Sequence, residues 1–409
     1  MFVILRDSNA SFRNRAPRPS GPFSGPSLGP SAFDSPLASV VPPAPSLETA
    51  DLSAGDLRDV AHDPSVTAVA RAMPTKLIEP EPLDDVRSAD AEPAWGIAAV
   101  GAEASPFTGA GVRVAVLDTG IDTDHPAFAG VNLITRDFAG SGIEDANGHG
   151  THCAGTVFGR DVDGQRIGVA RGVTEALIGK VLADDGRGSS DMLFQAMKWA
   201  SDQQAQVISM SLGFDFPGFA ERLQEQDWPP LLATSAALEG YRMNLRMFDA
   251  LMDMLRAQAA FTGGTVVCAA AGNESRRTVS PQFEVSASVP AAAVGVVSVG
   301  ALGQGAAGLG IAPFSNTNPT LSAPGVNVIS AGVGGGLRAL NGTSMACPHV
   351  AGIAALWWEA QRASGNPASA EAVRARLLAT CTSAGIDPAT DALDRGQGLV
   401  QAPAPALVG

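Results

Sequence analysis

The chain has 409 residues, 45% of them hydrophobic, with 46 Gly, 29 Pro and a formal net charge of -14, a composition that suits a globular enzyme rich in tight turns and supplies ample apolar material for a core. Without a basic excess it offers no phosphate-binding face, which argues against a nucleic-acid partner, and the acidic balance reads as solvated surface. Its four cysteines, Cys153, Cys268, Cys347 and Cys381, are widely spaced with no CxxC pair, so buried free thiols are expected rather than a disulfide framework or a zinc knuckle.

Taken in chain order, the first residues carry a short apolar run, Phe2-Val3-Ile4-Leu5, too brief for a secretory h-region, and a cytoplasmic protein is the expectation. Residues 8–47 are rich in Pro, Ser and Gly and read as a linker or insert. From there Leu47 to Asp51 reads as a strand, Ala54 to Ala61 as a helix and Ser65 to Val69 as a second strand, a small α+β unit closed by the acidic, Pro-bearing link Glu79 to Asp85.

Beyond Trp95, short continuous apolar runs alternate with helical segments. The runs are 112–117, 176–181, 207–210, 265–269 and 294–299, whose length and unbroken hydrophobicity suit strands buried on both faces of a parallel sheet. Asp191 to Gln204, Tyr241 to Phe261 and Pro348 to Ala363 suit helices. No charged residue lies between Glu284 and Arg338, but Gly, Ser, Pro and Asn interrupt that stretch, so buried strands and turns explain it and no membrane partner is expected.

Three segments carry the parts of a nucleophilic hydrolase. Asp118 ends the first buried strand and precedes Thr119-Gly120, which puts its carboxylate at the C-terminal edge of the sheet, where open parallel sheets bind ligands. His152 lies in Gly148-His149-Gly150-Thr151-His152-Cys153-Ala154-Gly155, among small residues at a helix start. Ser344 lies in Asn341-Gly342-Thr343-Ser344-Met345-Ala346-Cys347-Pro348-His349, a turn entering an apolar helix whose N-terminal partial charge favours developing negative charge. A serine hydroxyl needs an imidazole to accept its proton and a carboxylate to orient that imidazole. Asn273, after Ala270-Ala271-Gly272, sets an amide donor at another strand end, fit for an oxyanion. The order Asp, His, Ser also sets the chain apart from α/β-hydrolases, in which the serine comes first.

With Asp-Thr-Gly-Ile-Asp, Gly-His-Gly-Thr-His, Ser-Leu-Gly, Ala-Ala-Gly-Asn and Gly-Thr-Ser-Met-Ala-Cys-Pro-His in one order, the chain resembles the subtilisin-like serine peptidase family from about Trp95 to Leu407. The resemblance implies an α/β fold in three layers, a parallel sheet covered by helices on both faces, over 95–409, and a serine endopeptidase working through an acyl-enzyme. It gives His152 the role of general base, Asp118 that of its orienting carboxylate, and Asn273 with the Ser344 N–H that of the oxyanion hole. Ser211, Leu212 and Gly213, with Ala271 and Gly272, would bind a protein or peptide substrate as an added strand. A catalytically silent binding protein on the same fold is the competing expectation.

The resemblance also implies that 1–90 is a propeptide-like α+β region, with 8–47 as its insert, acting as an intramolecular inhibitor until self-cleavage within about residues 73–95. No cofactor is needed for the chemistry. Structural calcium stays open: Ala127 stands after His125-Pro126 where an acidic ligand is usual, while Asp161-Val162-Asp163-Gly164 could supply oxygens. The HxxH of His149 and His152 lacks the Glu of an HExxH arrangement, so no metal site is assigned. His349 reads as structural, and Cys153 and Cys347 as small apolar fillers beside the site. About 214–240 is longer than the family's usual connection; Pro217, Trp228, Pro229 and Pro230 suggest an ordered loop that either borders the cleft or decorates the periphery.

Overall fold

The computed structural model describes residues 1–7, 45–82, 94–365 and 367–404; most of the Pro/Ser-rich stretch and of the link after Pro82 lies outside them. The chain divides into two compact units, Met1–Arg71 and Ala72–Gly409.

In the first unit, β1 (Phe2–Arg6), β2 (Ser46–Ala50), α1 (Ala54–His62) and β3 (Val66–Arg71) form an antiparallel sheet of order β2-β1-β3 with one helix. β1 takes the centre because Val3, Ile4 and Leu5 are all buried. Helix α1 starts at a reciprocal cap, Ser53 Oγ accepting from Asp56 N at 3.2 Å and the Asp56 carboxylate accepting from Ser53 N at 3.0 Å, which satisfies two otherwise orphaned donors.

The second unit begins with β4 (Pro74–Leu77), α2 (Trp95–Ala99), β5 (Arg113–Asp118), β6 (Asn132–Asp137), α3 (His149–Phe158), β7 (Glu175–Lys180), β8 (Arg187–Ser189), α4 (Ser190–Asp202), β9 (Val207–Met210) and β10 (Leu212–Phe214). It continues with α5 (Phe216–Glu225), α6 (Pro230–Thr262), β11 (Val266–Ala270), β12 (Val297–Gly305), β13 (Gly308–Ile311), β14 (Leu321–Pro324), the hairpin β15 (Val328–Ala331) and β16 (Leu337–Leu340), α7 (Thr343–Ala363), α8 (Ala370–Ala379) and α9 (Ala392–Arg395). The central sheet runs β13-β12-β11-β9-β5-β7-β6, with β14 also paired to β12, and is parallel except at β13. The expected α/β architecture is present.

Strand periodicity explains how the sheet is covered. On β5, Val114 and Val116 share a buried cluster with the α3 and α7 residues Ala154, Val157, Val350 and Ala354. Ala115 and Leu117 face the other way and are equally buried. On that second face Trp199 of α4 lies over Gly179 and Leu117, and Phe194 of α4 meets Phe248 of α6 edge-on at 5.1 Å. Side chains two apart share a face, so Asp118 projects toward α3 and α7.

The insertion departs from the loop expected of it. Residues 216–225 and 230–262 are helical. Pro217 and Pro230 stand at first-turn positions and Pro229 is the N-cap of α6, where a missing N–H costs no helical hydrogen bond. These prolines start helices where composition alone suggested breaks. Among the described residues no helix is long and apolar enough to cross a membrane.

Candidate active site

The imidazole on Asp118 is that of His149. Its Nδ1 lies 2.7 Å from Asp118 Oδ1, both side chains at most 2% exposed, and Asp118 Oδ1 also accepts from Thr119 N at 2.8 Å. With Nδ1 donating to the carboxylate, Nε2 is left as the basic nitrogen, and it is buried with no hydrogen-bond partner. His152, expected in this place, sits elsewhere: its Nε2 donates to Val328 O at 3.0 Å and Arg338 O at 3.1 Å. It ties α3 to the β15-β16 hairpin, and burial, then the neighbouring His149, lowers its pKa to about 3.

The local backbone decides between the two histidines. Gly148 caps α3 with φ 90°, a left-handed conformation open to glycine, so His149 is the first helical residue. A Cβ at Gly150 would meet Gly120 O at 2.3 Å and Thr119 N at 3.2 Å, so the start of α3 lies directly on the end of β5. Asp145 holds that contact, bonding Thr119 Oγ1, Gly148 N and the Thr151 N and Oγ1 at 2.7–2.9 Å.

Ser344 is the second residue of α7, where N–H groups lack intrahelical acceptors. Its carbonyl would bond the N–H of residue 348, but that residue is proline, and the freed oxygen accepts from Ser211 Oγ at 3.2 Å and Cys153 Sγ at 3.4 Å. Pro348 thus lets the Ser-Leu-Gly segment and α3 hold the serine turn. Asn273 is oriented by Thr343, whose N and Oγ1 donate to its Oδ1 at 3.0 and 2.8 Å, leaving Nδ2 to point into the cleft. Gly272, with φ 113°, donates to Thr343 Oγ1 at 3.1 Å, and Ala271 O accepts from Asn316 Nδ2 at 3.1 Å. Those two residues buttress Asn273 from behind.

Residues 73–82 run through this cleft, as the strand β4 and then an isolated bridge of Glu81 to Asn341. β4 lies between β10 and β8, antiparallel to both, with Leu77 opposite Leu212 and Lys76 opposite Gly213. Ile78 Cγ1 lies over Gly213, 3.8 Å from where a Cβ would stand, an ordinary packing distance. Ser344 Oγ donates to Ile78 O at 3.1 Å, Asn273 Nδ2 to Glu79 O at 2.9 Å, and Asn341 Nδ2 to Pro82 O at 3.0 Å. Glu81 N in turn donates to Asn341 O at 3.0 Å. Two successive carbonyls are therefore gripped, one by the hydroxyl and the next by the amide. A cavity of about 280 Å³ beside this strand is lined by Leu77, Glu79, Pro80, His149 and Arg338 among others.

The thiols around the site are protonated packing groups: burial raises Cys153 and Cys268 well above the ordinary thiol pKa and pushes Cys347 up to about 12. The loop considered for calcium holds guanidinium groups instead. Asp161 pairs with Arg171 at 3.3 Å, and Asp163 turns at φ 50° between the paired Val162 and Gln165. Arg160 donates to the carbonyls of Phe158, Arg171 and Val173, and its N–H donates to Ala127 O at 2.7 Å. The Asp161 carboxylate and three carbonyl oxygens there already have guanidinium partners, a positively charged surround that disfavours a divalent cation.

Comparison with known proteins gives the family context. The sequence profile of the subtilase family matches residues 109–400. Subtilisin BL of Lederbergia lenta is 35% identical over 270 residues, 64% of this chain and 82% of that protein. The thermostable alkaline protease of Halalkalibacterium halodurans is 31% identical over 315 residues, 75% of this chain and 71% of its own. Subtilisin-like protease 6 of Arthroderma benhamiae is 32% identical over 290 residues, and the match spans 58% of its length.

Proposed function

The chain belongs to the subtilase family and is a serine endopeptidase, and on that premise we propose that its chemistry runs through Asp118, His149 and Ser344, with Asn273 and the Ser344 N–H receiving the oxyanion. Ser344 Oγ attacks the carbonyl carbon of a bound strand while its proton passes to His149 Nε2. Asp118 fixes the tautomer and stabilises the imidazolium that forms. The tetrahedral oxyanion is met by the Ser344 N–H and by Asn273 Nδ2, an amide held through its Oδ1 by Thr343 that turns from Glu79 O to the reacting oxygen as the charge develops. Collapse breaks the C–N bond, His149 returns its proton to the leaving amine, and water hydrolyses the acyl-enzyme by the same steps in reverse. Subtilases need no cofactor for this.

The observation that carries the reading is the buried Asp118–His149 bond of 2.7 Å with an unpartnered Nε2. A fluorophosphonate reagent tests it: labelling that vanishes in Ser344→Ala and in His149→Ala supports the triad, whereas no labelling of the processed protein supports a silent binding protein.

The segment 73–82 acts as an intramolecular inhibitor, supported by its occupation of both Ser344 and Asn273 and by the Glu79–Pro80 bond that follows the carbonyl on Asn273. The loop 159–173 is stabilised by Arg160, Arg166 and Arg171 in place of calcium, supported by the guanidinium bonds to the carbonyls of Phe158, Val173, Gly168 and Val169.

A further inference from the structure

We propose that the α5-α6 insertion is a substrate-recognition element that reads the third and sixth residues before the reacting carbonyl, favouring a basic side chain at the third and a long unbranched apolar one at the sixth. The proposal rests on the peptidase reading above and names the substrate class of that same site.

With Ile78 supplying the carbonyl on Ser344, Lys76 is the third residue and Met73 the sixth. Main-chain bonds follow the strand all the way: Leu77 N to Gly186 O at 2.8 Å, Asp215 N to Pro74 O at 3.0 Å, Ser190 N to Met73 O at 2.8 Å, and Met73 N to Ser190 Oγ at 3.0 Å. These bonds align any sequence, so selection falls to the side chains.

Met73 is 1% exposed. A Cβ at Gly240 of α6 would come 3.2 Å from Met73 Sδ, 3.4 Å from its Cγ and 3.4 Å from Phe219 Cε1 of α5. The missing side chain at Gly240 therefore makes the space that the thioether fills against the insertion. Nearer the serine, Lys76 Nζ lies 3.6 Å from Asp215 Oδ1. Asp215 is the N-cap of α5 and its carboxylate also accepts from Gly218 N at 3.1 Å, so the carboxylate is held in place before any lysine arrives. Both selecting contacts come from residues 215–240, the stretch beyond the family's usual length.

The test compares kcat/KM for two chromogenic amides on processed protein that labels with the fluorophosphonate. One is Thr-Lys-Leu-Ile-amide; the other adds Met-Pro in front. The longer peptide is expected to be cleaved about tenfold better, as burying a methionine side chain predicts, and Glu in place of its Lys to cost two- to fivefold, the scale of a part-exposed ion pair. In Gly240→Leu the ratio between long and short peptides is expected to collapse toward one. In Asp215→Lys the Lys-over-Glu preference is expected to reverse. The peptide series on the unaltered chain decides the matter even where a variant fails to fold. Turnover of all peptides at equal rates, or of none by protein that labels, overturns the extended site alone; absence of labelling and turnover together overturns the peptidase reading and this proposal with it.

Discussion

His149 and His152 stand three residues apart on α3, and their surroundings divide the labour between them. His149 sets its Nδ1 on Asp118 and keeps an unpartnered Nε2, while His152 spends its Nε2–H on two carbonyls of the β15-β16 hairpin. His149→Ala is therefore expected to lower kcat/KM on the order of 10⁴-fold or more, and to lower the urea midpoint as well because it strands the buried Asp118 carboxylate. His152→Ala should leave fluorophosphonate labelling intact and lose about 1–3 kcal/mol, the cost of stranding buried carbonyls. Reversed phenotypes would return the base to His152. His152 and His349 also set an acid limb on stability. Burial holds them near pKa values of about 3 and about 4, against 6.5 for the unperturbed group. Below pH 6.5 the unfolded chain takes up protons that the native state refuses, so stability is full above that pH and falls as pH drops toward 4 and 3. The slope is about 1.4 kcal/mol per pH unit for each histidine. Urea titrations of Ser344→Ala from pH 7 to pH 4 measure it without self-digestion, and a flat profile would contradict it. Gly-His-Gly-Thr-His alone could not choose between the histidines, because both lie near the helix start. The choice is made by Gly150 fitting against Gly120, a close approach that only the folded chain displays.

At the scale of elements, four of the five apolar runs became β5, β7, β9 and β11, strands buried on both faces that hydrophobicity alone finds, whereas only the last half of 294–299 enters β12 and Val294 is exposed. The insertion was illegible for the opposite reason. Its prolines have the same letters whether they start a helix or break one, and position within the first turn settles which. The strand β4 was harder still, since Pro74-Thr75-Lys76-Leu77 has no apolar pattern of its own and is a strand through its partners β8 and β10. That pairing predicts where the chain is cut. Ser344 Oγ sits on Ile78 O, and the next bond on, Glu79–Pro80, is a tertiary amide, so N-terminal sequencing of processed protein is expected to read from Glu79. A start at Pro80 would mean that the carbonyl on Asn273 is the reacting one. Thr75 offers a second handle: its Oγ1 is buried without a partner, which costs about 1–3 kcal/mol. Thr75→Val removes that cost and keeps the shape, so the strand should leave the cleft about tenfold more slowly, read as a longer lag before peptide turnover. An unchanged lag would show that release is not limited by this strand.

For the molecule as a whole, the sheet, α3 and α7 share one core, and the catalytic groups sit on its C-terminal edge. Their mutual positions are therefore as firm as the loops that anchor α3. The loop leaving α3 is the critical one, since it runs from Gly159 back to β7 and its carbonyls converge on a common point. Converging carbonyls need a cation, and here Arg160 supplies a covalently attached one that donates to Phe158 O, Arg171 O and Val173 O. Arg166 takes Gly168 O and Val169 O, and Arg171 closes the set on Asp161. Burial lowers the Arg160 pKa, but a guanidinium stays charged at any working pH, so this anchorage is independent of both pH and free metal. The expectation is a melting temperature equal within about a degree in chelator and in excess calcium. Arg160→Ala should lose about 1–2 kcal/mol, as two part-buried carbonyls and one exposed one lose their donor at once, and Tm should fall by a few degrees. The alternative is distinguishable: if calcium restores the variant to the parent Tm, the alanine has opened a cation site that the arginine had been filling. If it does not, the loop's oxygens are arranged for a guanidinium and for nothing smaller. A chelator-sensitive Tm in the unaltered chain would contradict both outcomes and place a stabilising metal in this protein after all.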